Sequence, residues 1–208
     1  MSLRKLYYNA FSPFYDKFVA LHSADHQSDL RGFLADMTEL TDNDRVLDIC
    51  TGTGTLLLQL RQKVGENGLV VGVDFSRGML KKAGTKIKAY TNIVLIESDA
   101  ASLPFKAKVF EAVTCSHAFY ELKGEIRDQV LKEIVRVVKP GRPFLMMEHD
   151  LPENLLIRIL FYIRILSMGT KEGISLLRHE MEILNRHFKQ VKKIKNPTGK
   201  SKVIVCKN

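Results

Sequence analysis

The sequence predicts an α/β fold: a seven-stranded, mostly parallel sheet with helices on both faces, finished by an antiparallel hairpin. Three observations carry this reading. Short apolar runs alternate with helical stretches between residues 45 and 149, the pattern of parallel strands joined by right-handed crossovers. The first strand ends in an acid, Asp48, and runs into a glycine turn within VLDICTGTG (46–54). A second acid, Asp74, closes the next apolar run, LVVGVD. Strand, glycine turn, helix, strand, acid is how an open α/β sheet holds a nucleoside.

The elements follow in order. LYYNAFSPFYDKFVALH opens the chain as an aromatic helix, and a second helix fits 26–38. Strand one spans 45–50 and its helix about 54–64. Gly65 to Gly68 turn the chain into strand two, 69–74. Ser76 is a good N-cap for a helix over 77–89. Strand three is 92–98 and strand four 109–116. A helix from 124 to 138 stops at Lys139-Pro140-Gly141. Strand five is 143–149, and helical sequence fills 153–187. Strands at 189–195 and 202–206 flank NPTGK as a hairpin. The chain, 1–208, therefore reads as one domain: a helical cap (1–40), a ligand-binding core (45–149), a helical insert (150–188) and a closing hairpin (189–208).

Hydrophobic content of 45% and charged content of 26% suit a globular protein with a full core. The opening residues are too polar and aromatic for a signal peptide, and Cys50, Cys115 and Cys206 form no CxxC or Cys/His cluster. A cytoplasmic setting is expected, with no disulfide framework and no metal site. The net charge of +9 concentrates in KKAGTKIK (81–88) and KQVKKIKNPTGKSK (189–202). Neither stretch has the aromatic interleaving of a single-strand binding platform, so nucleic acid is not the favoured partner.

The glycine turn discriminates between nucleosides. Leu57 stands where a dinucleotide fingerprint wants its third glycine. A pyrophosphate beside Asp48 would also meet like charge. The turn suits a nucleoside bearing an amino group.

At this point the chain resembles the class I S-adenosylmethionine-dependent methyltransferases, in particular the branch of ubiquinone and menaquinone biosynthesis. The resemblance rests on VLDICTGTGTLLLQL, VVGVDFSRGML, ESDAASLPFKAKVFEAVTCSHAFYEL and RVVKPGRPFLMMEH, in order across 45–149. It implies a Rossmann-like fold and S-adenosylmethionine as cofactor, with S-adenosylhomocysteine as product. It implies cofactor contacts from Asp48, Thr51, Gly52, Thr53 and Gly54 around the methionine. Asp74 would take the ribose hydroxyls, Phe75 and Met79 sandwich the adenine, and Asp99 and Ala100 read its edge. Ser116 would lie near the methionine end, and Tyr15 would close over the cofactor. The chain departs from the pattern at Cys50, where the first glycine is replaced, at Phe110-Glu111 in place of the common Phe-Asp, and at Arg142, where a second glycine is usual.

Methyl transfer from a sulfonium needs alignment and a dry pocket more than acid–base help. A base is needed only where the acceptor must lose a proton. His117 and His149 are the catalytic candidates, with Tyr120, Glu148 and Asp150 nearby in sequence. The run LLIRILFYIRILSM (155–168) is too short and too charged to span a bilayer. It suits a packed helix, a lid over a lipophilic acceptor, or an interfacial helix. The expected partner is a small, hydrophobic or lipid-like acceptor, quinone-type C- or O-methylation being favoured. A peripheral membrane contact and a homodimer are left open. The alternatives are a non-catalytic cofactor-binding subunit and an NAD(P)-dependent reductase.

Overall fold

A computed structural model describes residues 3–22, 29–122, 124–150, 155, 179–196 and 201–208. Its elements are α1 (Leu3–His22), α2 (Asp29–Asp36), β1 (Arg45–Ile49), α3 (Thr55–Val64), β2 (Leu69–Asp74), α4 (Arg77–Ile87), β3 (Ile93–Glu97), β4 (Ala112–Ser116), α5 (Gly124–Val137), β5 (Phe144–His149), β6 (Gln190–Lys195) and β7 (Ser201–Lys207). Residues 179–185 are also helical, and Phe119–Glu121 form a 3-10 turn. The strands lie in the order β3-β2-β1-β4-β5-β7-β6. The first five are parallel, while β7 runs antiparallel to both β5 and β6. This is the architecture expected from the sequence. The helical run expected over 153–187 lies mostly outside the described residues.

Period-2 alternation sorts each central strand into two cores. Leu47, Ile49, Val113, Cys115, Phe144 and Met146 pack with α5 and with Leu184 and Phe188 on one face. Val46, Val70, Ala112, Leu145 and Met147 pack with α2 and α3 on the other. Each fully buried Leu, Ile or Val contributes about 1.5–3 kcal/mol, so a strand that slipped by one residue would exchange its buried faces at great cost.

Strand four is shorter than its apolar pattern suggests. The Val109 and Phe110 amides both donate to the Val137 carbonyl, and Phe110 only bridges Val138. The segment thereby closes on the end of α5 before joining the sheet. Glu111 fixes this corner: its carboxylate takes the Arg45 amide at 2.7 Å and pairs with Lys139. Arg142 completes it, donating to the Glu111 carbonyl at 3.0 Å and to Asp44 at 3.1 Å. The two sequence departures at 111 and 142 thus brace each other on the side of the sheet opposite the glycine turn.

Candidate active site

The carboxyl ends of β1, β2, β4 and β5 converge on one edge, and the glycine turn is its centre. Cys50, Gly52 and Gly54 have φ of 53°, 56° and 75°, a left-handed path that lets the chain double back after β1. Two buried acids clasp it. Asp48 accepts the Thr51 hydroxyl at 2.7 Å on one oxygen and the Thr114 hydroxyl at 2.7 Å on the other. Asp74 accepts the Gly52 amide at 2.8 Å and the Ser76 amide at 2.8 Å. Burial pushes the Asp48 carboxyl up to about 7, against its hydroxyl donors, and pushes Asp74 up to about 6, against its amide donors.

The two glycines differ in what they make room for. A Cβ at Gly52 would meet no protein atom within 4 Å. A Cβ at Gly54 would stand 2.8 Å from the Ala83 Cβ, so its bareness serves the packing of the turn on α4. Thr53 also faces α4: its hydroxyl accepts Lys86 Nζ at 2.9 Å. The open side of the turn is at Gly52.

The next strand end is covered by α1. Ser76 caps α4, accepting the Met79 amide at 3.3 Å. Asn9 of α1 caps it again, its Oδ1 accepting the Ser76 hydroxyl at 2.8 Å and the Gly78 amide at 2.9 Å. A Cβ at Gly78 would lie 2.9 Å from the Asn9 backbone, so the two helices touch closely. The Tyr8 ring meets Phe75 edge-on at 5.8 Å, and its hydroxyl donates to both Glu121 oxygens, at 2.6 and 2.5 Å. Tyr15, half-buried, meets Phe11 edge-on at 6.1 Å. Sequence reasoning chose Tyr15 from this helix and missed Tyr8 and Asn9. The aromatic density of YYNAF hints at Tyr8, but no local pattern singles out an Asn that caps a helix 67 positions on.

Met79 is buried on the inner side of α4, and Ala100 is buried in the core beside β3. Asp99 is exposed, with one carboxylate oxygen accepting the Ala101 amide at 2.9 Å. Its loop is tied to the end of β2 by the Ser98 amide, which donates to the Asp74 carbonyl at 3.1 Å.

Across the edge, β4 and β5 bring together three polar atoms that are buried without a hydrogen-bond partner: Ser116 Oγ, His117 Nδ1 and Glu148 Oε2. The His117 amide donates to the Met147 carbonyl at 2.8 Å while its φ of 51° turns the side chain out of the strand path. Its ring stands 4.7 Å from that of His149, which lies 6.0 Å from Tyr120. Burial first, then the neighbouring His149 and Arg31, holds the His117 imidazole well below its ordinary value, and so neutral at pH 7. Glu148 is fully buried; its Oε1 accepts the Phe119 and Tyr120 amides at 2.8 and 3.2 Å, and burial pushes it up to about 8. A separate groove of about 530 Å³, lined by Arg127, Asp128, Lys132 and His187, contains none of these groups.

Chemically, the edge offers two halves. On the β1–β2 side are two acids able to accept from hydroxyl or ammonium donors, beside an open glycine. On the β4–β5 side are a neutral imidazole and a hydroxyl whose polar capacity the protein leaves unused. Unpartnered buried polar atoms cost about 1–3 kcal/mol each, which a ligand supplying their hydrogen bonds would offset.

Comparison with known proteins gives the family and the fold. The model of the ubiE/COQ5 methyltransferase family matches residues 5–169. A demethylmenaquinone methyltransferase of Lactobacillus johnsonii is 34% identical over 151 residues, covering 71% of this chain and 61% of the relative. A chloroplastic 2-phytyl-1,4-beta-naphthoquinone methyltransferase of Arabidopsis thaliana is 36% identical over 143 residues, covering 66% of this chain and 54% of the relative. The chain thus spans 54% to 61% of the length of these two curated relatives. Among solved structures, a SAM dependent methyltransferase from Aquifex aeolicus superposes with a TM-score of 0.67 at 19% identity, covering 95% of this chain and 97% of that one. At that identity the likeness speaks for the fold.

Proposed function

The chain belongs to the ubiE/COQ5 methyltransferase family, and from that premise we propose that it methylates a small quinone-type acceptor with S-adenosylmethionine. The observation that carries the cofactor half is the glycine turn held between Asp48 and Asp74, with Gly52 facing open space. These residues fit a nucleoside that carries hydroxyls and an amino group. When bound, S-adenosylmethionine supplies a methyl group already activated on a sulfonium. Asp74 would accept from the ribose hydroxyls with its remaining lone pairs, and Asp48, holding Thr51 and Thr114, would lie at the amino-acid end. Gly52 lets the backbone approach. Phe75, Met79, Asp99 and Ala100 form the adenine side, under the cover of α1 with Tyr15.

The acceptor half rests on the orphaned atoms at the β4–β5 ends. Ser116 Oγ and His117 Nδ1 are buried without a hydrogen-bond partner, which supports a polar acceptor group bound beside them. His117 Nδ1, left unprotonated because burial disfavours the charged ring, is the base available for the proton that a hydroquinone carbon or hydroxyl must lose, and it passes that proton on rather than keeping it. The His149 ring lies beside that of His117, 4.7 Å away and tilted by 38°. The quinone class itself comes from the named relatives, whose names specify demethylmenaquinone in one case and 2-phytyl-1,4-beta-naphthoquinone in the other.

The test pairs binding with turnover. S-adenosylhomocysteine should raise the melting temperature, NAD(P) should not, and a demethylated naphthoquinol should gain one methyl from labelled cofactor. A protein that neither sulfur ligand stabilises would refute the cofactor reading. One that binds them but methylates no quinol would refute only the acceptor.

A further inference from the structure

The outward face of α1 is apolar where a surface helix is ordinarily polar. Leu6, Tyr7, Ala10, Pro13 and Phe14 fall on one side of the helix, and all five are exposed. The three large ones are 46%, 57% and 63% exposed. Tyr7 stacks on Phe11 at 5.6 Å, which fixes the ring in place without covering it. The opposite face of α1 is committed inward through Tyr8, Asn9 and Ser12. The stripe therefore cannot be turned toward the core without breaking the caps on α4. From Leu6 to Phe14 it runs about 12 Å along the helix axis, enough to lie on a surface and far short of a span.

The charge around the stripe identifies its partner. α1 crosses α4 at Gly78, and one turn further along α4 stand Lys81 and Lys82, both exposed, with Lys88 beyond them. Glu97, the acid beside the start of α1, is engaged by Lys5 at 2.6 Å. An aromatic-bearing apolar stripe on a helix packed against the lysine-bearing α4, on a chain of net charge +9, suits a helix that lies in an anionic lipid interface. Two copies meeting through the same face would bring the lysines of both toward one another, which disfavours a symmetric dimer there.

We propose that the exposed face of α1, with Lys81 and Lys82 of α4, docks the protein on an anionic membrane surface. The inference does not depend on the identity of the acceptor.

The test is co-sedimentation of the full chain with phosphatidylcholine vesicles, with and without phosphatidylglycerol, alongside light scattering in solution. Binding is expected only to the anionic vesicles and should weaken with salt. The double variant Tyr7→Ser/Phe14→Ser should lose roughly tenfold or more in vesicle affinity. The double variant Lys81→Glu/Lys82→Glu should lose at least as much, since each lysine near an anionic surface is worth about fivefold. Both variants should keep their melting temperatures and their response to S-adenosylhomocysteine, which establishes that they fold. Wild-type protein that ignores anionic vesicles, or an apolar variant that binds them unchanged, overturns the proposal. A dimer that the Tyr7→Ser/Phe14→Ser variant dissolves into monomers assigns the face to a second copy and also overturns it.

Discussion

Tyr8 and Glu121 lie 113 positions apart, yet the tyrosine hydroxyl sits 2.6 Å from the carboxylate. The bond joins the N-terminal helix to the turn that follows β4, so it bridges the two halves of the site. Burial, reinforced by Glu121, pushes the phenol far up, so Tyr8 stays a donor across any working pH. Tyr8→Phe should cost about 1.5–3 kcal/mol, the net worth of a hydrogen bond to a carboxylate. It should also speed dissociation of S-adenosylhomocysteine more than it slows association, because it loosens a cover rather than removing a contact. Thermal melts and stopped-flow dissociation read the two effects. An unchanged dissociation rate would show that α1 does not retain the ligand.

Asp74 should make ligand affinity depend on pH. Its folded value of about 6 lies above the ordinary 3.8, so near pH 5 it is largely protonated and meets hydroxyl donors poorly. Affinity for S-adenosylhomocysteine should rise between about pH 5 and 7 and then level off. The stability contribution runs the other way. A carboxyl raised on folding favours the folded state below its unfolded value, and that advantage fades as pH climbs through 6. Asp74→Asn should flatten the affinity profile and lower it throughout, because the amide has one acceptor oxygen for the two amides of Gly52 and Ser76. Calorimetric titration across that range is the measurement.

The glycine turn offers an internal contrast. Gly54→Ala places a methyl 2.8 Å from Ala83 at a φ of 75°, and should cost stability by about 2 kcal/mol or more. Ala83→Gly in that background should recover the steric part and leave the backbone strain. Gly52→Ala meets no protein atom, so only the left-handed strain of about 1 kcal/mol falls on the fold. Its larger effect should be on cofactor affinity. Denaturant melts and binding measured on all three variants separate packing from ligand approach. Equal binding losses at 52 and 54 would remove the distinction.

This contrast shows which parts of the site the sequence could carry. Strand ends are legible because apolar runs stop at acids and turns, so the pattern marks Asp48, Asp74 and Ser116 as strand-end residues, while their roles toward a ligand come from the family resemblance. The N-cap at Ser76 is local chemistry and was equally visible. What a missing side chain makes room for is a tertiary matter, and VLDICTGTG reads the same whether Gly54 faces a ligand or Ala83. Asn9 and Tyr8 escaped for that reason, since their partners lie on α4 and beyond β4. Glu148 was only one candidate among the residues after strand five, because its amide partners at 119 and 120 belong to a turn the sequence did not announce.

His117 should separate binding from chemistry. His117→Ala is expected to keep S-adenosylhomocysteine affinity within about threefold, while methyl transfer falls by roughly 10²–10⁴, the worth of a positioned base. Alanine at a φ of 51° costs about 1 kcal/mol of strain, so His117→Asn, which tolerates that backbone, is the companion variant. The imidazole is held well below its ordinary 6.5, so it gives no loss of rate between pH 6.5 and 8 from its own protonation. Folded-state stability should drop as pH falls below 6.5, where the unfolded histidine charges and the buried one resists. Turnover that both variants preserve would take the proton away from His117.

Glu148 should make stability fall with rising pH. Its carboxyl is fully buried and pushed up from 4.5 to about 8 by loss of solvent, although Lys202 opposes the shift and Glu180 adds to it. The folded chain therefore holds this proton at pH 7 and the unfolded chain does not. Stability from the group is complete below about pH 4.5 and is lost as pH rises through 8, by on the order of a few kcal/mol in all. Glu148→Gln mimics the protonated acid: its amide oxygen can still accept the Phe119 and Tyr120 amides, and no charge remains to be desolvated. The variant should match the wild type near pH 5 and exceed it near pH 8. Urea melts at both pH values decide the matter. A wild type that gains stability over this range relative to Glu148→Gln would mean that Lys202 holds the carboxylate ionised, and the turn at 119–121 would then hang on a buried ion pair instead of a neutral acid.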